Sequence, residues 1–351
     1  MAVTPIVRPG QQNLTGSAES LFLELFSGEV LTAFHQKNKL MQYTRTRTIS
    51  GGKSATFPLT GTATARYHTV GASVFNTDDG EAGNPAYLSN IATGERDIHV
   101  DDPIVSGVFV SNIDEMKNAW DVRSIYTNEI ATALSDIADG NIARTILAAA
   151  VADPQAAHAQ FSSMTLAEKT MDMGASKTGA VLAQAIFDTA ELFDKHNIPE
   201  EGRVVLLDPD GYYKLAAEKD LVNKDFTAGM GDYAQAKIMK VAGFDIVMTN
   251  SLPSSDEATA YTLQGEKNDP FGGGKGYKPG ANLFGTAMDA SKLGGLAFQS
   301  GAIGTVKMKE LSTASEYYLE RQGSLLLSSY IMGHDVLRPE CAIAFEYDTS
   351  A

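Results

Sequence analysis

A chain of 351 residues, 43% of them hydrophobic and 20% charged, can bury one large or two medium cores and has the composition of a folded soluble protein. Its one cysteine, Cys341, excludes an intrachain disulfide and suits a reducing compartment. A net charge of −15 argues against nucleic acid as a tightly held partner, because phosphate contacts need clustered cations.

The start, MAVTPIVRPG, lacks an apolar core followed by a small-residue cleavage site, so it does not read as a secretory signal. No apolar run approaches the roughly 20 residues that span a bilayer, so no membrane partner is expected. Residues 1–20 are polar, with Pro5, Pro9, Gly10 and Gly16, and read as a flexible or extended lead. Leu21–Phe34 (LFLELFSGEVLTAF) suggests a short amphipathic helix whose Leu21, Leu25, Val30 and Phe34 could anchor the lead on a surface. Residues 1–70 hold seven Lys/Arg against three acids, a balance of +4, which leaves 21 against 40, or −19, for the rest. Such a division suggests attraction between arm and body, within one chain or between copies; a merely solvated surface is the alternative.

Ser50–Ser54 contains GGKS, which looks like part of a phosphate-cradling loop. That loop needs a glycine five positions before Gly52, where Arg47 stands. It also needs a helix after the lysine, whereas Phe57-Pro58 follows. The sequence reads instead as a glycine turn between extended segments. Residues 50–103 then carry only nine large aliphatic or phenylalanine side chains beside seven glycines and three prolines. Thr60, Thr62, Thr64 and Arg66 alternate with Gly61, Ala63, Ala65 and Tyr67, the period of a strand. A hairpin so poor in apolar area cannot stand alone and reads as an arm that embraces a neighbouring molecule.

Asn112 with Glu115 fits a capping box, and Trp120 reads as an anchor in a core or interface. A long helix is predicted from near Asp121 to Val151, with Ile130, Leu134, Ala138, Ile142 and Ile146 recurring every four residues. At 1.5 Å per residue it would span about 45 Å. Asp153-Pro154 ends it, and 155–177 reads as loop with a helical turn. A second helix is expected over 178–197, a buried strand over Arg203–Leu207, and a short helix capped by Asp208 with Pro209 in its first position. Further strands are expected at Gly243–Thr249, Leu296–Met308 and Ser315–Met332, with a glycine-rich loop at 271–280 between the first two.

No catalytic constellation emerges. The six histidines (His35, His68, His99, His158, His196, His334) give no metal-ligand pair, and no serine sits in a Gly-x-Ser-x-Gly elbow. His334-Asp335 reads as a turn pair, and Asp208 with Asp210 as helix capping rather than a calcium loop. No catalytic residue, cofactor or metal is assigned.

Four stretches in register, Ser27–Phe34 (SGEVLTAF), Ser50–Pro58 (SGGKSATFP), Asp121–Tyr126 (DVRSIY) and Met332–Glu340 (MGHDVLRPE), resemble the major capsid proteins of short-tailed phages of the T-seven group (Autographiviridae), over residues 20–347. Gly243–Pro253 (GFDIVMTNSLP) is similar to a strand and turn common in such shells. Asp335 stands where the resemblance leads one to expect glycine, and 155–177 does not align. The resemblance implies an α+β chain of the Hong Kong 97 phage-type (Johnson) capsid fold. Its parts map onto an N-terminal arm (1–49), an extended hairpin loop (50–107), a peripheral domain (108–200 and 305–351) with a spine helix about 121–151, and an axial domain (201–304).

By the same resemblance, copies of the chain form hexamers and pentamers of an icosahedral head assembled in the host cytoplasm. The head encloses double-stranded DNA without sequence-specific binding. Partners implied are a scaffolding protein, a portal and possible decoration proteins. This group is not expected to use the lysine–asparagine crosslink known in the fold, so the shell is expected to be non-covalent. Expected interface residues are Leu21, Leu25, Phe34, Arg45, Arg47, Lys53, Phe57, Leu59, Arg66 and Tyr67. The alternatives are a bacterial nanocompartment shell (encapsulin-like), a tail or baseplate protein, and a nucleotide-binding enzyme.

Overall fold

A computed structural model describes residues 30, 32–34, 37–61, 63, 65, 67, 68, 70, 91, 93–111, 122–151, 170–174, 178–218, 231, 232, 237, 238, 240–253 and 290–347. In chain order the strands are β1 (Arg45–Thr48), β2 (Ser54–Thr60), β3 (Thr93–His99), β4 (Ile104–Ser111), β5 (Thr170–Asp172), β6 (Arg203–Leu207), β7 (Gly231–Asp232), β8 (Lys237–Ile238), β9 (Lys240–Val241), β10 (Phe244–Met248), β11 (Leu293–Gln299), β12 (Ile303–Tyr318), β13 (Gly323–Val336) and β14 (Ala342–Glu346). The helices are α1 (Val122–Val151), α2 (Gly179–Lys195) and α3 (Pro209–Ala216).

Two sheets organise the body. A four-stranded sheet runs β1-β12-β13-β4, and a six-stranded mixed sheet runs β5-β14-β11-β6-β10-β9. Among the described residues strands β2 and β3 pair only with each other, as an antiparallel ribbon from Ser54↔His99 to Thr60↔Thr93. Pro58 is tolerated in β2 because a two-stranded ribbon has a free edge where no N–H is needed. All five residues of β6 are buried. The strand sits inside its sheet, and its RVVLL run has the unbroken apolar character such a place requires.

Helix α1 joins the two sheets. In its first half Ile130, Ala131, Leu134 and Ala138 pack with Val30, Phe34, Leu326, Tyr330 and Met332 beside the four-stranded sheet. Its second half, residues 141–150, is buried on every side. There Ile142, Ile146 and Leu147 share a core with Leu182 and Phe193 of α2 and with Val205, Phe244, Phe298 and Phe345 of the six-stranded sheet. A helix wrapped all round must satisfy its polar groups locally: the Thr145 hydroxyl donates to the Asn141 carbonyl at 2.8 Å.

The shorter helices follow their capping signals. Thr178 caps α2 by accepting from Val181 N–H at 3.5 Å, and Asn197, at φ 54°, turns the chain out before Ile198-Pro199. Asp208 caps α3 through Gly211 N–H at 3.0 Å, with Pro209 in the first turn. Arg203 is buried, where its guanidinium donates to Asp194 at 2.7 Å and to the carbonyls of Ile198 and Pro199. It also lies over the rings of Phe193 and Phe244, 5.5 and 5.8 Å from their centroids.

Several expectations change. The strand expected over Leu296–Met308 is two strands in different sheets, parted at residues 300–302, and the second continues to Tyr318. The strand expected over Ser315–Met332 contains a hairpin turn at 319–322, since apolar alternation runs straight across the turn and masks it. His334-Asp335 is no turn pair: both residues lie within β13 and are buried. Residues 45–48, which the resemblance assigns to the arm, form a parallel edge strand beside Gly304–Lys307, and 104–107, assigned by it to the hairpin loop, pair with β13. The two larger hydrophobic cores meet along α1, and β14, which the resemblance places in the peripheral part, lies in one sheet with β6 and β10. The proposed capping box at Asn112, Trp120 and the loop at 271–280 lie outside the described residues.

Candidate assembly surfaces

The β2–β3 ribbon leaves the body at a built root. Ala55 and Ile98 are buried with Val306 and Leu337, and Ile49, Phe57 and Val100 pack around them. Two glycines let the strands approach this closely. A Cβ on Gly304 would lie 2.4 Å from the end of the Ile98 side chain, which would have to shift, and one on Gly333 would lie 2.0 Å from the His99 carbonyl oxygen, so any larger residue at 333 forces the ribbon backbone away. Arg96 of β3 donates to Asp335 of β13 at 3.0 Å, and the Asp335 side chain is 1% exposed. The Asp335 carboxylate also accepts from Val336 N–H at 2.7 Å. The GGKS turn ends here too: Val100 N–H donates to the Lys53 carbonyl at 2.9 Å. Strand β2 follows at once, so no helix N-terminus is available to a phosphate.

Beyond Thr60 the described ribbon residues are open. Tyr67 and Val70 are fully exposed and Ile91 is 47% exposed. The candidate interface residues divide accordingly. Phe34 is buried in its own chain, its ring 5.8 Å from that of Tyr330, because Val30, Ala33 and Phe34 pack on α1 and β13 of the same molecule. Phe57 packs in the ribbon root and Leu59 is buried. The Arg47 guanidinium donates to the Thr56 carbonyl, bracing the root from β1. Arg45, Lys53 and Tyr67 are exposed. Leu21, Leu25 and Arg66 lie outside the described residues.

A second open surface escapes a reading based on the ribbon alone. On the face of the four-stranded sheet turned away from α1, Val105 and Phe109 lie opposite Ser329 and Leu325. Val105 is 49% exposed and Phe109 40%. At the far end of the β12–β13 hairpin Tyr317 and Tyr318 are open and Leu319 is 81% exposed. The sequence signal was present in the alternation of IVSGVFVS and in the YYL before the turn.

Two buried titratable groups tie the segment before β1 to the body. Asp139 of α1 accepts the N–H groups of Lys39 and Leu40, both at 3.1 Å. Burial, partly offset by these bonds, raises its carboxyl to about 6. His334 is held neutral because burial, with Lys307 adding repulsion, lowers its pKa to about 4. The Thr44 hydroxyl donates to the Met41 carbonyl at 2.9 Å, Thr305 donates to Thr44 at 3.1 Å, and His334 Nδ1 lies 3.0 Å from Thr305 Oγ1. Each hydroxyl has one proton to give, so Nδ1 carries the imidazole proton. Among the described residues no three His, Cys, Asp or Glu side chains gather as a metal site, and no helix is long and apolar enough to cross a membrane.

Residues 56–346 match the family of Gp10A-like major capsid proteins. The chain belongs to this family. The major capsid protein of Escherichia phage T7 is 28% identical over 335 residues, covering 93% of this chain and 92% of that protein. The capsid structure of the cyanophage P-SCSP1u is 31% identical, with a TM-score of 0.65 over 88% of this chain and 87% of that one. A virus-like particle from Pyrococcus furiosus superposes with a TM-score of 0.51 at 12% identity, covering 93% of this chain and 99% of that one, a likeness of fold alone. The capsid subunit therefore has the Hong Kong 97 phage-type fold and is a component of the virion shell.

Proposed function

We propose that this major capsid protein assembles as hexamers and pentamers into a closed, non-covalent icosahedral head around double-stranded DNA, with the β2–β3 ribbon lying across a neighbouring subunit. The observation that carries this reading is a ribbon seated at its root on its own body and exposed beyond Thr60. Covering a large apolar side chain such as Tyr67, Val70 or Ile91 contributes about 1.5–3 kcal/mol before ordering costs are deducted. Arg45 and Lys53 would meet acidic surface of the neighbour; exposed pairs add about 0–1 kcal/mol each and act mainly on register and encounter.

The acidic remainder of the chain, at −19, keeps packaged DNA from adhering to the wall. A scaffolding protein and a portal would guide closure, and decoration proteins are possible further partners. The division into peripheral and axial parts belongs to the same reading. Deleting 60–95 should leave a folded subunit that forms no shells. Shells of normal size from that deletion, seen by electron microscopy, would overturn the ribbon's role.

A further inference from the structure

We propose that Arg96 and Asp335 are positioning residues that set the angle at which the subunit presents its ribbon to a neighbour. This rests on the reading that the ribbon makes intersubunit contact. Beyond its root the ribbon has no sheet partner among the described residues, so its direction is decided at the root, where Arg47 holds β2 through the Thr56 carbonyl, Asp101 N–H donates to the Met332 carbonyl at 3.3 Å, and β3 meets β13. Three contacts lie there within a few residues of one another. Ile98 fills the space over Gly304, the His99–Val100 backbone rests on Gly333, and Arg96 reaches Asp335.

The first two contacts fix how close the ribbon lies, because a glycine surface accepts a neighbour but offers nothing to hold it sideways. The ion pair is directional. Asp335 is 1% exposed and already anchored by Val336 N–H, so its second oxygen is a fixed point in the body, and the Arg96 N–H must come to it. Arg96 Nε is buried without a hydrogen-bond partner among the described residues. The guanidinium thus accepts a desolvation cost in order to hold this one contact. Buried ion pairs add little stability compared with apolar replacements of the same size, and their best-attested use is to specify one arrangement among several. A ribbon held at the bound angle before encounter loses less freedom when it docks.

The test separates stability from geometry. Arg96→Met with Asp335→Leu removes both charges and leaves none buried alone, and Arg96→Lys keeps the charge. Each variant of the full chain is expressed beside wild type. Closed shells are counted by electron microscopy, and dissociated subunits are melted. The expected result is that the double variant melts close to wild type yet gives about tenfold fewer closed shells of wild-type size, while Arg96→Lys retains most of the yield. If the double variant folds and closes wild-type shells at wild-type yield, the pair does not position the ribbon. If the double variant does not fold, Arg96→Gln, which is too short to hold the Asp335 oxygen, decides: a loss of shells with an unchanged melt supports the pair, and wild-type shells at wild-type yield from folded Arg96→Gln overturn the proposal. Failure of wild type itself to form shells would refute the assembly reading instead.

Discussion

Asp139 and His334 pull the acid response of the subunit in opposite directions. The folded carboxyl of Asp139 titrates near 6, above its ordinary 3.8. It therefore takes up its proton before the unfolded chain does, and its contribution to stability grows as pH falls from about 6 to 3.8 and is lost as pH rises through that window. His334 titrates near 4 when folded, below its ordinary 6.5. Its stability is full above 6.5 and is lost as pH falls toward 4. Over the shared range the two slopes oppose each other. Replacing Asp139 by Asn leaves the histidine unopposed, so Tm should fall more steeply on acidification than in wild type. His334→Gln should make the fall shallower. Parallel Tm–pH profiles for all three proteins would contradict these assignments. Neither residue could have been assigned this behaviour from its neighbours in the chain. The amide groups that bind Asp139 come from Lys39 and Leu40, a hundred positions earlier, and burial of His334 is created by strands that meet only in the fold.

Helix α1 shows how one element can carry two environments. Its four-residue apolar stripe is legible in the sequence, and the helix it predicts is present over Val122–Val151. What the stripe does not convey is that 141–150 is enclosed on all sides, since Asn141, Arg144 and Thr145 look like an exposed face until their partners are in place. The consequence is an asymmetry between two isoleucines. Ile146→Ala removes a fully buried side chain and should cost about 3 kcal/mol. Ile125→Ala, at a position 58% exposed, should change stability by less than about 0.5 kcal/mol. Denaturant unfolding of the two variants compares them directly, and equal losses would place the helix differently. The β12–β13 hairpin illustrates the opposite failure of legibility. Tyr317, Leu319, Leu325 and Leu327 alternate as if in one strand, and Leu319-Glu320-Arg321-Gln322 holds no glycine or proline to announce the turn. The chain turns there through Gln322 at φ 47°.

For the molecule as a whole, the two sheets share α1 rather than owning separate helices. The family resemblance placed a division near residue 200, between the peripheral and axial parts. In the fold that place is continuous, because α2 and β6 lie in one core with β14 from the far end of the chain. Contacts of such long sequence separation leave no local trace in the residues that make them. The shared helix implies that the described body unfolds as one cooperative unit. Calorimetry of the dissociated subunit should give a single transition with equal calorimetric and van't Hoff enthalpies, and two resolved peaks would show the sheets to be independent.

The root of the ribbon stands on β13, and β13 packs on the same helix whose far half is locked inside the other core. A push on the ribbon therefore arrives at solid footing. If the ribbon lies across a neighbour as proposed, such a subunit would behave less like a bead with a loose thread than like a bracket, able to pass load from one copy to the next when a filled container strains outward.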